Sequence, residues 1–150
     1  MNKSIIIDTP ARIHLGFLEL NHLADRNFGS LGLTVSKFRN ILKIEDCNEF
    51  RIEIEKTAIK KKIRSVFKKI SNIKSLKKCK LTILQNIPEH SGLGSGTQIS
   101  LATGLLLSEF NGLNLKIDEI SNLLGRGLRS GIGIQSFKTG GFIIDSGKIK

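Results

Sequence analysis

Over the first 55 residues, apolar side chains tend to return at every second position. Ile5-Ile6-Ile7 reads as a short strand, and Ile13, Leu15 and Phe17, interleaved with His14, Gly16 and Leu18, read as a second. Residues 21–30 form a polar loop with Asp25, Arg26 and Gly29, residues 31–35 are extended again, and residues 41–45 and 50–55 follow as strands. In the last of these Phe50, Ile52 and Ile54 share one face, with Arg51, Glu53 and Glu55 on the other. Asp46-Cys47-Asn48-Glu49 between them has the composition of a hairpin connection.

The period then changes. Ile59, Ile63, Val66, Phe67 and Ile70 recur at helical spacing, with lysines filling the opposite face. Residues 81–84 read as a buried strand. Ile99, Leu101, Ala102, Leu105, Leu106 and Phe110 form a broad apolar helix that should stop at Asn111-Gly112, where a left-handed cap costs little. Residues 118–124 make a shorter helix, and Phe142-Ile143-Ile144 a last strand ending at Asp145. Two glycine-rich turns, residues 88–96 and 125–133, interrupt the pattern. Strands, helix, strand, helices and strand in that order predict an α+β domain whose mixed or antiparallel sheet is covered by helices on one face.

A chain of 150 residues with 39% apolar and 25% charged positions suits one domain with its own core, and it excludes a disordered chain. The longest apolar runs are three residues, too short for a membrane-crossing helix. The N-terminal residues lack the long apolar stretch of a signal peptide, so the expected compartment is the cytoplasm. Cys47 and Cys79 lie far apart and are expected to be reduced thiols. His14, His22 and His90 are each isolated, without zinc-ligand spacing.

The net charge of +11 has one source. Residues 56–80 hold 11 Lys and Arg and no acid, while the rest of the chain carries 13 basic and 13 acidic residues. Such a run is ordinarily a solvated helix face; the other reading is a surface that collects RNA or phosphorylated ligands. Its single aromatic residue, Phe67, falls on the apolar stripe, which leaves no stacking platform for single strands. An RNA-binding module therefore stands as an alternative, and nucleic acid is not the expected partner.

Chemistry concentrates in Pro88-Glu89-His90-Ser91-Gly92-Leu93-Gly94-Ser95-Gly96-Thr97-Gln98. Glycines at alternate positions let backbone N–H groups approach an anion, and a helix beginning near Thr97 aims its free amides and positive dipole end at the same point. Ser91, Ser95 and Thr97 add hydroxyls for phosphate oxygens or a bound Mg²⁺. A turn that only caps the helix accounts for the same residues, and both readings stand. Gly96 is followed by Thr-Gln, which excludes a Walker loop, and Thr97 stands where a dinucleotide fingerprint requires glycine.

Pro-x-x-x-Gly-Leu-Gly-Ser entering a buried helix resembles the phosphate-binding motif of the galactokinase, homoserine kinase and mevalonate kinase (GHMP) superfamily. That resemblance implies an N-terminal domain of the ribosomal-protein-S5 domain 2 type. Four ordered segments are similar to one non-kinase branch, the β-ribofuranosylaminobenzene 5′-phosphate synthases. They are Pro10-Ala11-Arg12-Ile13-His14-Leu15-Gly16, Phe28-Gly29-Ser30-Leu31-Gly32-Leu33, residues 88–98, and residues 124–134 continuing through Phe137 to Asp145.

The resemblance implies transfer of phosphoribosyl from phosphoribosyl diphosphate to a 4-hydroxy- or 4-aminobenzoate, with loss of diphosphate and CO₂, in the making of methanopterin-type carriers. It implies Mg²⁺ as cofactor. Ser91, Gly92, Leu93, Gly94, Ser95, Gly96 and Thr97 would bind phosphate, and Arg12, His14, His90 and Arg129 would be catalytic. Arg126, Ser130 and Gly131 would bind substrate, and Thr97 and Asp145 would hold the metal. Family members carry a second α+β domain. Residues 1–150 therefore correspond to the N-terminal domain alone, with a separate C-terminal-domain chain or a second copy as possible partners.

The alternative within the superfamily is an ATP-dependent small-molecule kinase. Many such kinases carry Ser-Gly-x-Asp ahead of a Gly-Gly pair, whose Asp is the catalytic base. Here Ser130-Gly131-Ile132-Gly133 precedes Gly140-Gly141, so glycine replaces the carboxylate. Gly96 likewise replaces the second Ser of the kinases' Gly-Ser-Ser.

Overall fold

The computed structural model describes residues 3–18 and 25–149. Its sheet is built around two long strands, β1 (Ser4–Leu18) and β3 (Gly29–Asp46), paired antiparallel along their length. The sequence pattern predicts two strands within each. Pro10 and Gly16 interrupt the alternation of β1, but the strand absorbs them as irregularities at Pro10/Ala11 and His14/Gly16. On β3 the residues between Val35 and Arg39 have no partner in the ladder at the same point. β2 (Arg26–Asn27) and β7 (Lys148–Ile149) form a separate antiparallel pair.

The far side of β3 is shared. Its N-terminal half pairs with β6 (Phe142–Asp145) and its C-terminal half with β5 (Cys79–Gln85), both antiparallel. β4 (Arg51–Glu53) pairs parallel with β5, giving the order β1-β3-β5-β4. The expected hairpin across residues 46–49 therefore does not form. β5 inserts between β3 and β4, because burying Cys79 and Leu81 at the sheet's centre places that strand beside Ile44 and Ile52.

Helices α1 (Thr57–Ser71), α2 (Ser95–Asn111), α3 (Ile117–Leu123) and α4 (Ile132–Lys138) complete the fold. α1 buries Ile59, Ile63, Val66 and Ile70, each contributing about 2 kcal/mol. α2 is apolar on nearly all sides and lies between α1 and the sheet, ending at Gly112 in the left-handed conformation. α4 begins at the last two residues of the segment read as a glycine turn and runs on to Lys138, a helix the pattern does not predict. Its close approach to the sheet requires Gly32, since a Cβ there would collide with the Ile132 side chain. On the sheet's opposite face Ile13, Leu33, Phe142 and Ile144 are exposed.

The basic run is not a uniform solvated face. Lys61, Arg64 and Lys68 are exposed, as expected. Lys80 pairs with Glu45 at 2.7 Å, Lys69 donates to the Leu123 carbonyl at 3.2 Å, and Lys62 reaches Glu89 at 3.4 Å. Cys47 and Cys79 are free thiols, and burial raises the Cys79 thiol to about 11. Among the described residues no helix is long and apolar enough to cross a membrane.

Candidate functional site

Four hydrogen bonds fix the turn between β5 and α2. The Asn40 carboxamide oxygen accepts the Ile87 amide at 2.9 Å inside the core, which pins the chain as it leaves β5. The Arg12 amide on β1 donates to the Leu93 carbonyl at 3.0 Å, and its guanidinium Nη1 to the Gly92 carbonyl at 2.9 Å. Ser91 Oγ closes the near side onto the Pro88 carbonyl at 2.7 Å. Within this frame Gly92 and Gly94 have φ of 76° and 75°, and His90, unusually for a residue with a side chain, has φ of 57°. A Cβ on Gly94 would also lie 2.9 Å from Arg12 Cζ, so a larger residue there would displace the Arg12 side chain.

α2 begins immediately after Gly94. The amides of Thr97 and Gln98 both return to the Gly94 carbonyl at 3.1 Å. The five amides of residues 92–96 donate to no protein acceptor among the described residues. They border a cavity of about 280 Å³ lined by Glu89, His90, residues 91–97, Arg12, Arg126 and Lys62. Arg126 is oriented by a bond from Nη2 to Ser100 Oγ at 3.1 Å, and Ser100 Oγ itself donates to the Gly96 carbonyl at 2.8 Å. The Nε atoms of Arg12 and Arg126 are buried without a partner. Burial lowers the Arg12 pKa, and an anion in the cavity would offset that cost. A larger surface groove of about 600 Å³ between β4 and the end of β5 reaches Lys56 at the start of α1 but has no glycine turn.

Of the residues singled out in the sequence, the cavity gathers Arg12, His90, Arg126 and residues 91–97. His14, Arg129, Ser130, Gly131 and Asp145 are not part of its lining. Ser130, Gly131 and Asp145 form a separate cluster: Ser30 Oγ and Ser130 Oγ are 2.9 Å apart, and Asp145 Oδ2 accepts the Gly131 amide at 2.6 Å. Asp145 Oδ1 accepts the Gly147 amide at 3.0 Å. The carboxylate expected to ligate a metal with Thr97 thus has both oxygens engaged by backbone amides. Arg129 is exposed.

His14 is half-buried on β1. Burial lowers its pKa, the Arg12 charge adds to that, and Asp145 opposes it, so the ring is neutral at physiological pH. Its Nδ1 accepts the Gly16 amide at 3.2 Å, which places the ring proton on Nε2. Nε2 is buried without a partner and is therefore a free donor.

The sequence reading missed Lys62 and Glu89 as cavity residues. Glu89 stood inside the quoted motif, a carboxylate in a turn otherwise suited to anions. Lys62 was one of 11 basic residues in its segment, and only the packing of α1 on α2 distinguishes it. The oxygen donors at the cavity, Ser91, Ser95, Thr97 and Glu89, are hard ligands of the kind magnesium takes alongside substrate phosphates.

Residues 58–142 match the family model described as GHMP kinases N terminal domain. The chain is 36% identical over 151 residues to a protein of Methanothermobacter thermautotrophicus named beta-ribofuranosylphenol 5′-phosphate synthase, covering 95% of this chain and 46% of that one. A protein of the same name from Methanocaldococcus jannaschii is 40% identical over 154 residues, with 95% and 47% covered. The chain spans about half the length of the curated relatives it matches. Among solved structures it is similar to the mevalonate kinase of Methanococcus jannaschii, with a TM-score of 0.69 at 20% identity over 99% of this chain and 55% of that one. The phosphomevalonate kinase of Streptococcus pneumoniae superposes with a TM-score of 0.67 at 14% identity over 95% and 48%.

Proposed function

The chain belongs to the family of GHMP kinase N-terminal domains, and we propose that it is the N-terminal part of a decarboxylating phosphoribosyltransferase. The donor is phosphoribosyl diphosphate and the acceptor 4-hydroxybenzoate. The relatives' name, a ribofuranosylphenol phosphate synthase, favours the hydroxy- over the aminobenzoate, because a phenol product retains the acceptor's hydroxyl. The observation that carries the reading is the run of five unpaired amides at the start of α2, faced by Arg12 and Arg126.

In this reaction the bond from the sugar's anomeric carbon to diphosphate breaks, and the electron pair leaves with diphosphate. The ring carbon bearing the carboxylate bonds to that anomeric carbon. The bond to the carboxyl group then breaks, and its electrons restore the aromatic ring as CO₂ leaves. Charge builds on the departing diphosphate, so donors aimed at it before reaction lower the barrier. The amides of residues 92–96 and the dipole of α2 supply these donors, and the Arg12 and Arg126 guanidinium groups grip phosphate oxygens in a planar fork. Ser91, Ser95, Thr97 and Glu89 would hold Mg²⁺, which supplies further neutralisation of the diphosphate when bound.

Phosphoryl transfer to an alcohol is less well supported, since Gly133 offers no base and a Cβ there would lie 3.0 Å from Thr97 Cγ2. The test is incubation with phosphoribosyl diphosphate, Mg²⁺ and carboxyl-labelled 4-hydroxybenzoate, alone and with the second half that the relatives carry. Release of equal amounts of diphosphate and labelled CO₂ supports the reading; release of neither in both conditions overturns it.

A further inference from the structure

Lys62 differs from the lysines around it. Ile59, Ile63 and Val66 are buried on either side of it in sequence, so its stem leaves α1 from a fixed backbone beside the start of α2. Its Nζ lies 3.3 Å from where a Gly96 Cβ would be, directly over the first turn of α2. Its partner Glu89 is 3.4 Å away, well outside the 2.7–2.9 Å typical of a charge-assisted hydrogen bond. That loose pairing leaves ammonium hydrogens without an acceptor. Glu89 is the only carboxylate lining the cavity among the described residues, and its side chain is only 17% exposed. An arriving diphosphate meets this negative charge at close range, and the ammonium beside it is the group able to turn from one anion to the other. Lys62 and Arg126 also both line a smaller adjoining cavity of about 80 Å³, so the two cations face the same side of the α2 start.

We infer that Lys62 is a ligand of the diphosphate group, released from Glu89 when that group enters and bonded directly to a phosphate oxygen over Gly96. The inference rests on the reading of this cavity as a diphosphate site and extends it to a residue from the basic helix. It gives the lysine-rich segment one specific function, with the other lysines solvated or paired elsewhere.

The test is calorimetric titration of the whole chain with inorganic pyrophosphate at fixed salt. Lys62→Met should weaken binding by about tenfold or more, as expected for loss of a charge-assisted bond. Lys62→Arg should recover most of it. Lys61→Met, which removes an equal charge from the exposed side of the same helix, should stay within about twofold of wild type. The double variant Lys62→Met/Glu89→Gln separates direct contact from mere neutralisation of Glu89. Direct contact predicts that the double variant stays weak, whereas full restoration overturns the inference. A Lys62→Met affinity equal to wild type also overturns it while leaving the cavity reading intact. A wild-type chain that binds no pyrophosphate overturns both. Circular dichroism of each variant shows whether the fold is retained.

Discussion

Two glycine-rich turns flank α2 and the short helix after it, and they look alike in sequence: residues 88–96 carry Ser, His and three glycines over the second half, and residues 125–133 carry Arg, Ser and four glycines. Their backbones are anchored differently. In the first turn the amides of residues 92–96 find no protein acceptor among the described residues, and φ is positive at His90, Gly92 and Gly94. In the second, φ is positive at Gly125 and Gly127, and Gly125 donates to Asn122, Arg126 to Ser121, Gly131 to Asp145 and Ile132 to Ser130 Oγ, while the amides of residues 127–130 find no protein acceptor among the described residues. The first turn leaves the amides of residues 92–96 open to a ligand. The second is tied back to the protein at both ends, by Gly125 and Arg126 at one and Gly131 and Ile132 at the other, which positions Arg126 and α4. Glycine content alone does not separate a binding loop from a brace; the destination of each amide does.

Substitutions can break this contrast from either side. Asp145→Ala removes the acceptor of the Gly131 amide in the second turn and of the Gly147 amide after β6, each a bond to a charged group, so thermal or denaturant unfolding should show a loss of about 3 kcal/mol. Pyrophosphate affinity of the folded fraction should change little. Gly94→Ala acts on the first turn, where a non-glycine residue at φ of 75° costs about 2 kcal/mol. It should also abolish detectable pyrophosphate binding, because the new methyl displaces Arg12. Equal loss of binding in both variants would dissolve the distinction between the turns.

Smaller changes sharpen it. Arg126→Met should reduce pyrophosphate affinity by about tenfold with a loss of stability under about 1 kcal/mol, measured by calorimetry and urea unfolding. The pH dependence of stability should expose His14. Its folded-state pKa lies below the unfolded value of about 6.5, so the unfolded state binds the extra proton first as pH falls. The contribution of neutral His14 is intact above that value and is lost progressively below it. His14→Gln should flatten that part of the profile, and an unchanged profile would show that the ring is not held neutral by its surroundings.

The parts legible in the sequence were those set by local period. Ile59, Ile63, Val66 and Ile70 marked α1, Gly112 marked the end of α2, and short apolar runs marked β5 and β6. The pairing of β5 between β3 and β4 was not legible, because strand order is decided by burial among distant segments, not by the four polar residues at 46–49. α4 was hidden by Gly131 and Gly133, whose function is close packing against Asp145 and Thr97 and not a turn. At the site, the glycine turn and its two arginines were legible from spacing and resemblance. Lys62 was not, since its distinction from Lys61 is a matter of which side of α1 meets α2.

The most direct measurement is a titration of the isotope-labelled chain with inorganic pyrophosphate, followed through the backbone amide resonances. The amides of Gly92, Leu93, Gly94, Ser95 and Gly96 should move first and furthest, while those of Gly125, Gly131 and Ile132 stay nearly still. Movement confined to the second turn, or no movement in the first at saturating pyrophosphate, would contradict the account.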